Sequence, residues 1–170
     1  RGKSKLRYHE KAGEGLRYAA FEGEALFEIA KDERHPFIIQ CGDVKVWVLG
    51  TSFNIRTSPG QVDLTVLAGS VNFSSATDTR GIDVLPGEKA VYSAGSGFEK
   101  LAAGPDEISS IVRDTYYKMQ FTNVAMKDVI NRLERKFDAS IRVSDRSILN
   151  CRVPIDLTRR SLEKSLQLIT

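Results

Sequence analysis

Residues 44–57 read VKVWVLGTSFNIRT, and this stretch decides the fold of the first half of the chain. Valine stands at every second position of its first half, so the valines share one face of an extended strand while Lys45 and Trp47 share the other. Gly50 then interrupts the pattern, at a point where a reversing chain often needs a positive φ. The stretch therefore predicts two consecutive β-strands, the first with one buried face and one partly covered face.

The same pattern extends in both directions, over residues 21–93. Short segments of alternating or β-branched character end at Gly, Pro, Asn or Asp roughly every 8–12 residues, which is typical of an all-β domain. A β-solenoid with short rungs, a barrel and a sandwich-like pair of sheets all suit this spacing. The predicted strands are residues 25–29, 37–41, 44–49, 52–57, 62–67, 70–74, 83–85 and 89–93.

The composition changes to Ala, Gly and Ser between residues 93 and 106, which predicts a domain boundary. We expect an all-β domain at residues 1–95, a linker at 96–110 and a small α/β domain at 111–170. The fold class is thus mainly β with a small α/β lobe.

The second domain is predicted to have the order β-α-β. Apolar residues recur at helical spacing over 126–137, and Thr122 or Asn123 is expected to cap this helix. Ser161 is expected to cap a final helix that has not ended at Thr170, so we expect the domain to be truncated at its C-terminus. The predicted strands are residues 117–121, 140–143 and 152–156.

Composition and charge exclude some classes of function. The chain has 170 residues, 41% hydrophobic and 28% charged, which is ordinary for a globular protein. Its 25 basic and 22 acidic side chains are interspersed, so no basic stripe favours a nucleic acid. No apolar run approaches the roughly 20 residues of a membrane-spanning helix. The sequence begins with Arg1 rather than Met, and we expect it to be an excised fragment of a longer protein.

The sequence contains no recognisable catalytic, cofactor-binding or metal-binding motif. Nucleophilic catalysis needs Ser, Thr or Cys beside a base, and neither His9 nor His35 lies in such a motif. Cys41 and Cys151 lack metal-ligand spacing; each is either a buried apolar residue or half of a disulfide. We therefore predict that the chain is not an enzyme and needs no cofactor.

Two groups of side chains leave alternatives open. Glu22, Glu24 and Glu28 alternate, as on a solvated strand face or in a carboxylate pair for calcium or sugar chemistry. The aromatic residues of the second domain are either core residues or anchors at a protein interface. The candidate interaction residues are Tyr116, Tyr117, Phe121 and Arg142. A partner strand is expected to add at an open sheet edge of this domain, and Arg142, on the predicted strand 140–143, is the candidate for that edge.

Four ordered motifs resemble the FecR family of anti-sigma regulators. FEGEALFEIAKD at 21–32, continued by RHPFII at 34–39, resembles the family's GEAFFEVAKD…RPF signature. VLGTSFNIR at 48–56 resembles VLGTxFNVR. VLAGSV at 66–71 and LPGEKA at 85–90 resemble two further family turns, although Ala68 stands where Glu is common.

The second domain resembles the C-terminal domain of many FecR-like proteins, which is similar to the short N-terminal (STN) domain of secretins and TonB-dependent transporters. The matching stretches are FTNVAMKDVI at 121–130, LERKF at 133–137 and SLEKSL at 161–166. The family's upstream LPDGSxVxLN strand, transmembrane helix and cytoplasmic anti-sigma segment are not part of this sequence.

The resemblance implies the periplasmic signalling portion of a single-pass inner-membrane anti-sigma regulator. Its expected partner is the signalling domain of a TonB-dependent outer-membrane transporter. An extracytoplasmic-function (ECF) sigma factor would be controlled through the missing cytoplasmic segment. The alternative is a carbohydrate-binding or carbohydrate-processing β-domain, for which Trp47 and the Glu22 row are the only candidate features.

Overall fold

A computed structural model describes residues 4–11, 16–113, 115 and 117–169. The chain divides into two compact units, Arg1–Ile111 and Val112–Thr170.

The first unit is built almost entirely of strands, so the prediction of a mainly β fold is confirmed. A short helix, α1 (Pro105–Val112), follows the last of them. The strands are β1 (Lys5–Lys11), β2 (Leu16–Glu22), β3 (Glu24–Glu28), β4 (Phe37–Cys41), β5 (Val44–Val48), β6 (Ser52–Ser58), β7 (Gln61–Ala68), β8 (Val71–Ser75), β9 (Ile82–Val84), β10 (Glu88–Ser93) and β11 (Gly97–Ala102).

These strands form two sheets. The six-stranded sheet has the order β1-β2-β4-β5-β8-β9, and the five-stranded sheet has the order β11-β10-β7-β6-β3. Strands β2 and β4 pair in parallel, whereas the other neighbours in both sheets are antiparallel. The chain crosses from one sheet to the other after every one or two strands, and the two-layer arrangement agrees with the sandwich-like prediction.

One apolar core lies between the two sheets. Strand β5 alternates buried and exposed residues along its whole length, as the valine pattern predicts. Its valines pack in the same cluster as Phe73 from their own sheet and Phe53 and Leu64 from the other. Phe53, Leu64 and Phe73 are fully buried. The alternation in 44–57 therefore places one face of each strand in a shared core.

The structure contains three strands in the first unit that the sequence patterns did not predict. Strands β1 and β2 precede the region in which strands were expected. Strand β11 occupies residues 97–102, inside the expected linker 96–110, and pairs with β10 in the register Tyr92↔Phe98. Two flanking glycines and four exposed residues made this segment resemble a linker, but Phe98 packs against the core.

Tight turns explain two of the glycine positions in the motifs. Gly69 has a φ of 81°, and a Cβ there would lie 2.8 Å from the carbonyl oxygen of Gly50. Gly87 has the same φ of 81°, but its missing Cβ would meet nothing within 4 Å. The amide of Glu88 donates to the carbonyl of Leu85 at 3.0 Å, so the predicted type II turn at Pro86-Gly87 is present.

The second unit is a small α/β structure. Strand β12 (Gln120–Ala125) runs directly into helix α2 (Met126–Phe137), and strand β13 (Arg152–Asp156) precedes helix α3 (Leu162–Ile169). A single 3-10 turn of helix covers Arg146–Asn150. The buried residues of α2 pack on the sheet in a separate core with Met119 and Leu157. A small α/β lobe is therefore present, whereas its specific likeness to STN domains stays a prediction.

Three local predictions for this unit have different outcomes. Residues 140–143 form no strand, because their backbone joins no ladder among the described residues and the amide of Ile141 donates to Glu134 Oε1 at 2.8 Å. Thr122 and Asn123 belong to β12, so the N-cap of α2 is Ala125. The predicted cap of the final helix is confirmed, because Ser161 Oγ accepts from the amide of Lys164 at 3.2 Å.

We expect Gly69→Ala to lower the free energy of unfolding by about 2–4 kcal/mol, because it adds both left-handed strain and a clash with backbone. Gly87→Ala carries the same strain without the clash and should cost only about 1 kcal/mol. Urea unfolding of both variants measures the difference. Equal losses would show that the close approach to Gly50 is not a constraint.

The expected linker is partly strand, so we expect proteolysis to begin where the structure divides into units. Trypsin should cut first after Arg113 or Lys118, both exposed, because few packing contacts cross a boundary between compact units. Mass spectrometry of the first fragments checks this. A first cut within 44–71 would contradict the division.

Candidate protein-interaction surface

The candidate surface is the two-stranded sheet of the second unit. Strands β12 and β13 are antiparallel, with Phe121 opposite Ile155 and Val124 opposite Val153. Within the part of the chain that the structure describes, neither strand has a third neighbour. Each strand therefore has an outer edge whose backbone groups face away from the pair, and such an edge can accept a further strand.

Proline protects the outer edge of β13. The amide of Leu157 donates to the carbonyl of Met119 at 2.9 Å, and the carbonyl of Cys151 accepts from Met126 at 2.9 Å. Because strand residues alternate in direction, the backbone of odd-numbered β13 residues faces β12, and that of Pro154 faces outward. Proline has no N–H to donate there, and the outward carbonyl of Asp156 already accepts from Arg160 Nε at 3.1 Å.

The outer edge of β12 lacks these protections. Gln120 and Thr122 flank Phe121, which faces β13, so their backbone groups face outward, and both residues are exposed. A bulge follows, in which Asn123 adopts a φ of 58°. The guanidinium of Arg152, which lies on the partner strand β13, donates to the Asn123 carbonyl and stabilises the bulge. The β12 edge is therefore the stronger candidate for strand addition.

The structure describes three of the four sequence-predicted residues, and these three lie in different surroundings. Tyr116 lies outside the described residues. Tyr117 is half-buried, and its amide donates to Thr115 Oγ1 at 3.3 Å. Phe121 is only 8% exposed and belongs to the core, which favours its packing alternative. Their role in binding stays a prediction.

Arg142 is exposed, but it lies on the irregular segment 140–145 rather than on a sheet edge. The segment borders an apolar groove of about 580 Å³, which is also lined by Met126 and Ile130 of α2 and Leu166 of α3. A docking edge at Arg142 requires a strand at 140–143, and that strand is absent from the described structure. Sequence analysis missed Gln120 and Thr122, although their polar alternation around Phe121 is the signal of a strand with a solvated side.

Charge distinguishes the two units. Residues 112–170 contain 12 Lys and Arg against 7 Asp and Glu, whereas residues 1–111 contain 13 against 15. The net positive charge of the whole chain therefore comes from the second unit. A partner surface with acidic side chains would be attracted to it.

The histidines and acidic residues form no site of reactive chemistry among the described residues. His35 Nδ1 lies 2.8 Å from Asp32 Oδ2, and this contact lowers the pKa of Asp32. Asp32 Oδ1 also accepts from the amides of Arg34 and His35, so the carboxylate caps an exposed turn. No group of three or more His, Cys, Asp or Glu side chains in the described residues is placed to hold a metal ion.

The glutamate row is divided between two strands. Glu22 ends β2 in the six-stranded sheet, and Glu24 and Glu28 bound β3 in the other sheet. Gly23, with a φ of 114°, separates them. The sequence pattern predicts that the three carboxylates alternate along one strand. That prediction is wrong, because they lie on two strands.

Both cysteines are free thiols, which leaves the disulfide alternative unsupported. Cys41 is fully buried in the first unit, and Cys151 is exposed in the second. Burial raises the pKa of the Cys41 thiol to about 12. Cys41 is therefore an inert core residue, as the buried-apolar alternative predicts, whereas that alternative is wrong for the exposed Cys151.

These features define a class: a two-unit, mainly β protein with an open sheet edge and no assembled reactive centre in its described residues. Two family models match the chain, "FecR protein" over residues 1–72 and "FecR, C-terminal" over residues 118–170. Together they cover well over half of the sequence. The chain belongs to the FecR family.

Solved structures agree with this assignment at the level of the fold. Two crystal structures of a "putative anti-sigma factor" from Parabacteroides distasonis ATCC 8503 match, at 1.65 Å and 2.50 Å resolution. Each has a TM-score of 0.57 and covers 98% of this chain and 77% of the neighbour, with 24% and 25% identity respectively. No curated protein matches the chain significantly. None of the described helices is long and apolar enough to cross a membrane.

We expect a thiol reagent such as DTNB to label one cysteine per native chain at pH 8 and two after denaturation. Burial holds Cys41 in its neutral, unreactive form, whereas Cys151 meets solvent. Cys151→Ser should abolish native labelling, and Cys41→Ser should leave it unchanged. Because the folded pKa of Cys41 lies above its ordinary value of 9.0, burial of this thiol stabilises the fold fully below that pH and progressively less toward pH 12.

Proposed function

We propose that this chain is the periplasmic signalling portion of a transmembrane anti-sigma regulator. Membership of the FecR family, with both family models in their expected order, is the observation that supports this function best. The solved neighbours, whose description is that of an anti-sigma factor, support it further. The regulator would lie in the inner membrane with this portion on its periplasmic face.

The proposed partner is the signalling domain of a TonB-dependent outer-membrane transporter. Docking of a loaded transporter on this portion would change the state of a cytoplasmic segment, which in turn controls an ECF sigma factor. Such signalling requires only a coupling free energy between two protein contacts and no chemical step. The absence of any reactive motif from the sequence is consistent with that role.

Docking is assigned to the second unit, at the outer edge of β12. A partner strand that adds there gains backbone hydrogen bonds from outward-facing groups at Gln120 and Thr122, and the core under Phe121 need not move. The β13 edge is a poorer site because Pro154 removes a donor. This assignment replaces the edge at Arg142.

The test is calorimetric titration of this chain with the signalling domain of each TonB-dependent transporter of the source organism. One transporter signalling domain should bind. Thr122→Pro should lower the affinity for that domain at least about tenfold, because proline removes an outward N–H at the docking edge. Thr122→Lys keeps the backbone donor and should bind nearly as tightly as the parent. Pro154→Ala, on the protected edge, should leave the affinity unchanged.

Circular dichroism must first show that each variant is folded. If folded Thr122→Pro binds as tightly as the parent, docking on the β12 edge is wrong, although the signalling function stands. If no transporter signalling domain binds the parent chain, the proposed partner itself is wrong.

A further inference from the structure

The outer face of the six-stranded sheet carries a row of side chains that the proposed signalling function does not use. The row follows the strand register, in which each residue lies opposite the next. From β1 to β9 its members are His9, Tyr18, Ile38, Trp47, Asn72 and Asp83.

All members of the row point away from the core. On β4 and β5 the buried residues are the odd-numbered and even-numbered ones respectively, which leaves Ile38 and Trp47 on the outer face. Trp47 is 38% exposed, and Tyr18 and Ile38 are half-buried. The middle of the row is therefore an apolar strip in which an aliphatic side chain separates two aromatic ones.

A second, polar row lies beside this strip. Ala20 pairs with Gln40, Gln40 with Lys45, and Lys45 with Ser74. Contacts between the rows show that they share one surface, because Tyr18 Oη donates to Gln40 Oε1 at 3.3 Å. Lys45 and Ser74 make no side-chain hydrogen bond or ion pair within the described residues, so their polar groups are available to a ligand.

The strip is too small to anchor a protein. A stable protein interface buries about 800 Å² on each partner around an apolar centre. Here only three apolar side chains lie in line, two of them already half-buried. Polar residues border them on one side, and the half-buried Leu16 lies on the same face two residues from Tyr18. A narrow apolar strip with hydrogen-bonding groups along one side suits a ligand that is itself narrow, with an apolar face and polar edges.

We propose that this face binds an oligosaccharide chain. The C–H face of a pyranose ring packs on an aromatic ring, and the hydroxyl groups at its edge bond to neighbouring polar groups. Trp47 and Tyr18 supply the two stacking positions, Ile38 fills the space between them, and Lys45 and Ser74 contact the hydroxyls. This binding site is independent of the proposed docking edge.

The register sets the length of the ligand. Trp47 and Tyr18 lie on strands separated by one intervening strand, so their backbones are about 10 Å apart. That separation exceeds the length of one sugar ring. A disaccharide reaches only one stacking position, whereas a longer chain reaches both.

Trp47 is the only tryptophan of the chain, so its fluorescence reports on this face alone. The probes are the dimers and hexamers of β-1,4-linked glucose, N-acetylglucosamine and galacturonic acid. We expect at least one hexamer to shift the Trp47 emission saturably and to bind at least about tenfold more tightly than its dimer. No response to any hexamer would overturn the proposal.

Two variants test whether Trp47 and Tyr18 bind the ligand together, as one platform, or whether one of them binds it alone. Tyr18→Ala retains the fluorescence of Trp47 and should remove the preference for binding the hexamer over the dimer. Trp47→Ala, measured by calorimetry, should lose at least about tenfold in affinity. Leu101→Ala is the matched control, because Leu101 is a similarly exposed apolar residue of the other sheet, at 46%, and should bind like the parent.

Two further outcomes overturn the inference. If Tyr18→Ala keeps the full length preference, the two aromatic residues do not act as one platform. If Trp47→Ala lowers the affinity for the transporter signalling domain and no glycan binds to the parent chain, the face is part of a protein interface. Neither outcome affects the test at Thr122, so failure of this inference leaves the proposed signalling function standing.

Discussion

The structure of the first unit depends on the packing of two sheets across one apolar core. Phe27 stacks on Phe53 with ring centroids 5.4 Å apart, and Phe73 meets Phe98 edge-on at 5.0 Å. Side chains of this size contribute much of the apolar area that a small β domain can remove from water. The central strands of both sheets therefore bury one face in the core, and the period of two leaves their other face for solvent or for ligands.

Sequence patterns predicted the strands that make this core and failed where burial is partial. In 44–57 the alternation is unambiguous because one face is fully buried. Strand β1 also alternates, but Leu6 and Tyr8 remain 55% and 50% exposed, since this edge strand extends beyond the core. Its partner β2 joins β4 in parallel, a non-local pairing that short-range patterns do not contain.

The segment 140–143 shows the opposite failure. Ile141 and Val143 alternate with polar neighbours and pack against the core of the second unit, so the burial pattern is that of a strand. A strand also needs a partner for its backbone, and Glu134 takes the Ile141 amide instead. Alternation predicts which side chains are buried. It does not predict which backbone groups pair, and the strand predicted at 140–143, on which a docking edge at Arg142 depends, is absent from the described structure for that reason.

The same limit explains why the candidate edge could not be located from the sequence. The sequence contains Pro154 and Thr122, but whether their backbone groups face inward or outward depends on the register of β12 against β13. A one-residue shift would turn Pro154 toward its partner, where a missing N–H would disrupt the sheet rather than protect its edge. The bulge at Asn123, held by Arg152, stabilises the observed register.

Recognition at a strand edge has a consequence for specificity. Backbone hydrogen bonds are similar for almost any partner sequence, so they supply affinity with little discrimination. Discrimination must come from side chains around the edge, and the second unit carries the net positive charge of the chain. Opposite charge on the right partner speeds encounter, while like charge on a wrong partner is costly. An open β12 edge on a basic unit thus combines a contact that accepts many sequences with electrostatic discrimination, which a regulator needs if it must distinguish one partner among several with the same fold.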